Sequence, residues 1–232
     1  MEIWTVPNIW KNQECWILGG GSSVVEEFDI PKDIVDGVRA RSLSLASYSP
    51  YMEKIHSKFV IGINIAMFLG DWVDISYFGD NNYFLKYKEL FPKVKGLVIG
   101  SAPILSKLTY ATDPYTRYLK YIKIAKDKIH GICTNPSFVY SNLNSGGSSI
   151  GIAHNLGVKR IILVGFDMAL DVEKNQHWHK EYAANAVLPF GKHLPCFEQI
   201  SRDAIDLGIE IINASPKSKI TQFRKASVKE LL

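Results

Sequence analysis

Residues 14–28, ECWILGGGSSVVEEF, and residues 144–168, NSGGSSIGIAHNLGVKRIILVGFDM, decide the fold of this chain. In the first stretch, an apolar strand runs into three glycines and two serines, and a segment able to start a helix follows. In the second, a Ser/Gly loop starts a helix that stops near Gly157, and a buried strand then ends near Asp167. Each stretch predicts a strand and a helix joined by a short loop, with the helix packed on the sheet that contains the strand.

Three further stretches repeat this alternation, at residues 58–70, 72–91 and 193–216. Helices that connect successive strands imply right-handed crossovers, a mainly parallel sheet and helices on both of its faces. We therefore predict a Rossmann-like α/β fold in which residues 1–232 form a single domain. Residues 168–192 form a long connection with little regular pattern, and we predict a lid there, because loops of that length are usually functional or disordered.

The composition is that of an ordinary globular chain, with 47% hydrophobic and 22% charged residues, and it indicates neither a disordered nor a fibrous protein. The formal net charge is only +4. Part of the excess positive charge lies in residues 115–128, which we predict to be helical. The lysines there are spread out, which is typical of a solvated helix face rather than a nucleic-acid patch. The lysines concerned are Lys120, Lys123, Lys126 and Lys128.

The cysteines and the start of the chain indicate a cytoplasmic protein. Cys15, Cys133 and Cys196 are too far apart for a zinc motif and stand beside apolar residues, which fits a reducing compartment. The start, MEIWTVPNIW, lacks the pattern of a signal peptide, and no apolar run approaches the roughly 20 residues that cross a bilayer. We expect no membrane span. A homo-oligomer is compatible with the sequence, which leaves the oligomeric state open.

Small and polar residues follow the carboxyl ends of the predicted strands, the edge where open α/β sheets bind ligands. Glycines there let a ligand approach the backbone, and a helix start offers unpaired N–H groups to phosphate. We predict that these residues form a nucleotide-binding site. They are Gly19, Gly20, Gly21, Ser22, Asn64, Asp80, Ser145, Gly146, Gly147 and Asp167.

The same residues also admit structural roles. The run GGGSS could be a tight turn, Asn64 and Asp80 could cap helices, and Asp167 could cap a helix or form an ion pair. GGGSS departs from the dinucleotide pattern GxGxxG, and no P-loop motif GxxxxGK(S/T) occurs. The sequence therefore indicates neither an ordinary nicotinamide dehydrogenase nor a P-loop ATPase.

Two histidines, His177 and His179, lie in the segment NQHWHKEY. The pKa of an imidazole is near neutrality, so either side chain is a candidate general base for an acceptor hydroxyl. The pair could also hold a metal, although no cysteine or carboxylate cluster completes such a site. Each histidine could equally be a solvated loop residue.

Several motifs taken together resemble one superfamily. They are LGGGSS at residues 18–23, IGIN at 61–64, DISYFGD at 74–80, the stretch at 144–168 and EIINASPKSKI at 210–220. The superfamily contains the small bacterial sialyltransferases that use CMP-sialic acid and the 6-hydroxymethylpterin diphosphokinase MptE-like proteins, including short phage-encoded members. The resemblance covers residues 14–220, and its most specific part is the Ser/Gly block with GFDM. It implies a nucleotide-dependent transferase.

In the sialyltransferase branch, the first loop commonly reads NGPS and surrounds the nucleotide. Residues 19–22 occupy that loop here, with Gly19 in place of the asparagine. The resemblance further implies that Asn64, Ser145 and Gly146 lie against the phosphate and ribose of the nucleotide.

The resemblance also places the general base in the loop after GFDM, where His177 and His179 stand. We favour His179, because the pair Trp178 and His179 precedes a tyrosine. That tyrosine, Tyr182, is the one counterpart of the tyrosines that grip phosphate in the sialyltransferase branch.

We favour a glycosyltransferase that moves a sugar from a CMP- or UDP-type nucleotide-sugar to an acceptor hydroxyl. A loop histidine would be the base, backbone amides and Ser145 would stabilise the leaving phosphate, and no metal would be obligatory. The acceptor could be a glycan or modified DNA, and the compartment is the cytoplasm, that of the host for a phage-encoded protein.

Two alternatives remain open. The first is an MptE-like diphosphokinase, in which Mg²⁺ held by Asp80 and Asp167 supports transfer of diphosphate from ATP to a hydroxymethyl acceptor. The second is a non-catalytic nucleotide-binding accessory protein.

Overall fold

Strands and helices alternate through the computed structural model, which describes residues 1–181 and 188–232. The strands are β1 (Glu14–Leu18), β2 (Phe59–Ile63), β3 (Ile75–Phe78), β4 (Leu97–Gly100), β5 (Leu119–Tyr121), β6 (Lys123–Ile124), β7 (Phe138–Val139), β8 (Arg160–Val164), β9 (Glu210–Asn213) and β10 (Arg224–Lys225). Eight of them form one parallel sheet in the order β10-β9-β8-β1-β2-β3-β4-β5, and β6 pairs with β7. This architecture confirms the predicted Rossmann-like α/β fold.

The helices pack on both faces of the sheet. They are α1 (Ser23–Glu27), α2 (Lys32–Arg39), α3 (Asn81–Tyr87), α4 (Ser145–Asn155), α5 (Phe190–His193), α6 (Pro195–Asp206) and α7 (Val228–Leu231). Short 3₁₀ helices add connections at Leu45–Ile55, Asn64–Phe68, Lys88–Lys93, Pro103–Lys107 and Pro114–Tyr118. Among the described residues, no helix combines the length and the apolar character needed to cross a membrane.

The central strands are apolar because both of their faces are covered. On β1, Trp16 and Leu18 belong to one hydrophobic core, while Cys15 and Ile17 belong to the other. Successive side chains of a strand point to opposite faces, so one five-residue strand supplies two cores. Helices α1, α2 and α3 cover the first core, and α4 and α6 cover the second.

Residues 115–128, predicted to be helical, contain no α-helix and include a 3₁₀ helix and two short strands. A 3₁₀ helix at Pro114–Tyr118 leads into β5 and then β6. On β5, Leu119 and Tyr121 are buried and Lys120 is exposed, which is the period of a strand. The helix prediction was wrong because it relied on the spacing of the lysines, whereas the pairing of β5 with β4 makes this part of the chain a strand.

Candidate functional site

A cavity of about 720 Å³ opens at the carboxyl edge of the sheet, and its size suits a small-molecule ligand. Of the predicted site residues that the structure describes, Ser22, Gly147 and His179 lie outside the lining. Tyr182 lies outside the described residues. The predicted residues that do line the cavity are Gly19, Gly20, Gly21, Asn64, Asp80, Ser145, Gly146, Asp167 and His177.

The glycine loop, residues 19–21, is held tightly against the segment that follows β8. A Cβ atom on Gly19 would lie 2.7 Å from the carbonyl oxygen of Gly165, and one on Gly21 would lie 2.5 Å from Oδ2 of Asp167. A side chain at either position would force the two loops apart, so glycine is required at both. The glycines therefore join two loops of the chain as well as lining the cavity.

Asp167 caps the start of α1 from a distant part of the chain. Its buried carboxylate accepts hydrogen bonds from the backbone N–H of Ser23 at 2.8 Å, from the Ser23 hydroxyl, and from the Ser22 hydroxyl at 3.5 Å. Desolvation raises the pKa of this carboxyl group, and the hydrogen bonds from Ser23, Ser215 and Ser22 oppose the rise. The helix start that follows the glycine loop thus already holds an anion of the chain itself.

The start of α4 is arranged differently. Oδ1 of Asn144 accepts a hydrogen bond from the backbone N–H of Gly147 at 2.7 Å, so Gly147 belongs to the helix cap. The backbone N–H groups of Ser145 and Gly146 donate to no acceptor among the described residues, and both residues line the cavity. A helix start with such N–H groups favours a phosphate.

Asn64 and Asp80 stand at the ends of β2 and β3. Asn64 has a positive φ of 52°, and its buried side-chain oxygen has no hydrogen-bond partner among the described residues. Asp80 is exposed and caps α3, because it accepts hydrogen bonds from the backbone N–H groups of Asn82 at 2.6 Å and Tyr83 at 3.0 Å. Within residues 1–181 and 188–232, no group of three His, Cys, Asp or Glu side chains could hold a metal ion.

Trp178 fastens the connection after β8 to the glycine loop. Its backbone N–H donates to the carbonyl oxygen of Gly20 at 3.2 Å, and its indole Nε1–H donates to the carbonyl oxygen of Gly19 at 3.0 Å. The indole ring is fully buried, and the Tyr48 hydroxyl donates to the Trp178 carbonyl oxygen at 3.1 Å. The connection that carries His177 and His179 and the glycine loop are therefore one hydrogen-bonded unit.

His177 and His179 adopt opposite tautomers. Nδ1 of His177 lies 3.1 Å from the carbonyl oxygen of Gly20. Because a carbonyl oxygen only accepts, Nδ1 carries the proton and Nε2 is the acceptor nitrogen of the neutral ring. Nδ1 of His179 instead accepts a hydrogen bond from the backbone N–H of Glu181 at 3.2 Å. The two rings are parallel, with their centroids 5.1 Å apart.

Both imidazoles are held in the neutral form. Burial lowers the pKa of His177, and the hydrogen bond to Gly20 opposes this shift. Burial lowers the pKa of His179 to about 3, and the neighbouring His177 and Lys86 act in the same direction, because a positive charge on His179 would be repelled by one on either neighbour. His177 lines the cavity, whereas His179 is 4% exposed and lies behind it. This geometry favours His177, the reverse of the preference drawn from the sequence.

Lys86 and Tyr87 of α3 also line the cavity, although no sequence motif pointed to them. Lys86 Nζ donates to the carbonyl oxygen of Glu181 at 2.8 Å, and the Tyr87 hydroxyl donates to the Glu181 carboxylate at 3.2 Å. A signal was available in the sequence, because Asp80 as a helix cap marks where α3 begins. Residues four apart in a helix share a face, so the residues of α3 on the side of the cavity could have been read from that start. Of the predicted lid, residues 168–192, the structure describes 168–181 and 188–192, and its role as a lid stays a prediction.

No protein-family model and no curated protein sequence matches the chain. Among solved structures, two of the sialyltransferase CstII from Campylobacter jejuni are similar to it, each with 14% sequence identity. The complex with cytidine-5′-monophosphate has a TM-score of 0.52 and covers 94% of this chain and 86% of CstII. The complex with CMP-3FNeuAc has a TM-score of 0.48 and covers 92% and 85%. At this identity the likeness is one of fold alone.

Proposed function

We propose that the chain is a glycosyltransferase that moves a sugar from a nucleotide-sugar to an acceptor hydroxyl. The observation that carries this proposal is the hydrogen bond from His177 to the Gly20 carbonyl oxygen, which fixes the tautomer of the imidazole. His177 lines the same cavity as the start of α4, a helix start suited to phosphate. The fold shared with a sialyltransferase solved with CMP supports a CMP-type donor, and a UDP-type donor is the second choice.

In the proposed reaction, the acceptor oxygen bonds to the anomeric carbon of the sugar as the bond from that carbon to the phosphate oxygen breaks. Nε2 of His177 takes the proton of the acceptor hydroxyl. The electron pair of the broken bond stays on the phosphate. The start of α4, where Ser145 and Gly146 line the cavity, favours that negative charge.

At Gly19 this chain lacks the asparagine side chain that the resembled NGPS loop offers to the nucleotide, so its recognition of the donor has to differ there. The position of a side chain at residue 19 is filled by the carbonyl oxygen of Gly165 at 2.7 Å and by the Phe166 ring at 3.2 Å. The chain therefore has to bind its nucleotide without a polar side chain there. The acceptor, a glycan or modified DNA, and a phage origin within a host cytoplasm are parts of this proposal that rest on the resemblance alone.

The diphosphokinase alternative requires Asp80 and Asp167 as Mg²⁺ ligands. Both carboxylates instead accept hydrogen bonds from backbone N–H groups at helix starts. The Asp167 carboxylate is also buried among serine hydroxyls. These contacts favour the glycosyltransferase, in which backbone amides rather than Mg²⁺ stabilise the negative charge of the leaving phosphate.

The test is a thermal-shift measurement against CMP, CDP, UDP, GDP and ATP, each with EDTA and with Mg²⁺, since a ligand that binds only the folded protein raises its Tm. We expect CMP or UDP to raise the Tm in EDTA. A shift with ATP that requires Mg²⁺ would contradict the proposal in favour of the diphosphokinase. No shift with any nucleotide would also contradict the proposal, because a transferase of this kind has to bind its donor.

A further inference from the structure

Three hydroxyl groups converge beside Gly79, at the end of β3. A Cβ atom on Gly79 would lie 3.3 Å from Oγ of Ser145, 3.4 Å from Oγ of Ser101 and 3.6 Å from the hydroxyl oxygen of Tyr77. The three side chains come from α4, from the loop after β4 and from β3. All four residues line the cavity. We call Tyr77, Ser101 and Ser145 the hydroxyl cluster.

Two members of the hydroxyl cluster, Tyr77 and Ser101, are fixed in place before a ligand arrives. Tyr77 is 1% exposed and Ser101 is 2% exposed, and their oxygen atoms lie 2.6 Å apart in a hydrogen bond. Burial raises the pKa of Tyr77, and hydrogen bonds with Ser101 and Ser148 oppose the rise, so this hydroxyl stays protonated at neutral pH. Rotamers locked by packing give a binding site whose geometry costs little to organise.

The chemistry of the hydroxyl cluster suits an uncharged polar group. Each hydroxyl can both donate and accept, as a sugar hydroxyl can. An ionised phosphate only accepts, and it is better matched by the helix start at Ser145 and Gly146 or by a cation. None of the three side chains of the hydroxyl cluster carries a charge, so a sugar hydroxyl uses their hydrogen-bonding capacity more fully.

We infer that the hydroxyl cluster beside Gly79 is a subsite for a sugar hydroxyl of the donor, and that Tyr77 and Ser101 are specificity-determining residues. This inference rests on the proposed function. The hydroxyl belongs either to the ribose of the nucleotide or to the sugar that is transferred, and the two sources give different results in binding experiments.

Gly79→Ala is the sharpest probe, because it puts a methyl group where the three oxygen atoms converge. The neighbouring oxygen atoms lie at 3.3 Å or beyond, and Gly79 does not have the positive φ that would strain alanine. The matched control is Gly191→Ala, whose Cβ would meet no atom of the described residues within 4 Å. Ser101→Ala is a second probe, which removes one hydroxyl and adds no volume.

Isothermal titration calorimetry measures the Kd of CMP, 2′-deoxy-CMP and CMP-sialic acid, with UDP, 2′-deoxy-UDP and UDP-N-acetylglucosamine as the second series. If the cluster binds ribose, the wild type binds the deoxynucleotide about tenfold more weakly than the ribonucleotide, as expected for one lost polar contact. Gly79→Ala and Ser101→Ala then raise the Kd of the ribonucleotide to the value that the wild type has for the deoxynucleotide. If the cluster binds the transferred sugar, the two variants raise the Kd of the nucleotide-sugar about tenfold and leave the Kd of the nucleotide unchanged.

Two results overturn the inference, and they are distinguishable. If the wild type binds a nucleotide and both probes match Gly191→Ala within about twofold for every ligand, the cluster is structural and the proposed function stands. If the wild type binds no member of either series, the proposed function fails and the subsite fails with it. Melting curves show whether each variant is folded, and a Gly79→Ala variant that does not unfold cooperatively leaves the decision to Ser101→Ala.

Discussion

His177 and His179 are two residues apart, yet their surroundings suit them to different tasks. His177 lines the cavity and its Nδ1 donates to the Gly20 carbonyl oxygen, which makes Nε2 its acceptor nitrogen, while His179 is buried and lies outside the cavity lining. A general base needs its acceptor nitrogen within reach of the substrate. At the scale of single residues, His177 is therefore the candidate base and His179 the buried neighbour that packs against it.

Replacement of His177 by alanine is expected to lower kcat about 10²-fold to 10⁴-fold, the usual contribution of a general base, with the Kd of the nucleotide unchanged. In the wild type, kcat/KM falls as the pH drops through the pKa of His177, because the protonated ring cannot take a proton. Since burial lowers that pKa, activity persists below the ordinary titration range of histidine. A pH profile of kcat/KM measures this. An acidic limb that disappears in His179→Gln and stays in His177→Ala would reverse the assignment.

At the scale of elements, Trp178 joins the connection after β8 to the loop after β1. Its indole N–H donates to the carbonyl oxygen of Gly19 and its backbone N–H to that of Gly20, and a Cβ atom on Gly19 would lie 2.7 Å from the Gly165 carbonyl oxygen. The same contact places His177 in an isolated antiparallel bridge with Gly21. The position of the proposed base thus depends on the junction of two elements.

Trp178→Phe keeps an aromatic ring in the core and removes the indole N–H, so the buried Gly19 carbonyl oxygen loses its donor. We expect the free energy of unfolding to fall by about 1–3 kcal/mol, the cost of a buried polar group left unsatisfied. Urea denaturation measures this value. Trp10→Phe is the control, because Trp10 is 5% exposed and its indole makes no hydrogen bond to the described residues. Equal losses in the two variants would mean that ring volume alone matters at Trp178.

At the scale of the whole molecule, burial of neutral His179 makes folding sensitive to acid. The pKa of His179 is about 3 in the folded chain, against an ordinary value of 6.5. Between these pH values the unfolded chain binds a proton that the folded chain does not, so stability falls as the pH falls. Above pH 6.5 both states are neutral and the full contribution is present.

The free energy of unfolding of the wild type should therefore fall by about 2 kcal/mol more than that of His179→Gln between pH 7.5 and pH 5, because glutamine does not titrate. Urea denaturation at the two pH values provides the comparison. Parallel losses in the two proteins would show that His179 is not the acid-sensitive group. Tm measurements at both values are an independent check.

Some features of the site were within reach of sequence patterns because they depend on neighbours along the chain. The glycine loop, Asn64 and Asp80 all follow apolar strands, and parallel strands bring their carboxyl ends to one edge. The helical prediction for residues 115–128 was wrong because it relied on charge spacing, whereas the pairing of β5 with β4 sets the backbone conformation there.

The sequence by itself determined the parallel sheet, its two apolar faces and the edge where polar and small residues gather, since each follows from periodicity over a few residues. Only the tertiary structure decided that Asp167 caps Ser23, 144 residues away, and that His177 rather than His179 faces the cavity. These choices depend on hydrogen bonds between segments remote in sequence. Two identical imidazoles adopt different tautomers because Nδ1 of His177 meets the Gly20 carbonyl oxygen and Nδ1 of His179 meets the Glu181 N–H.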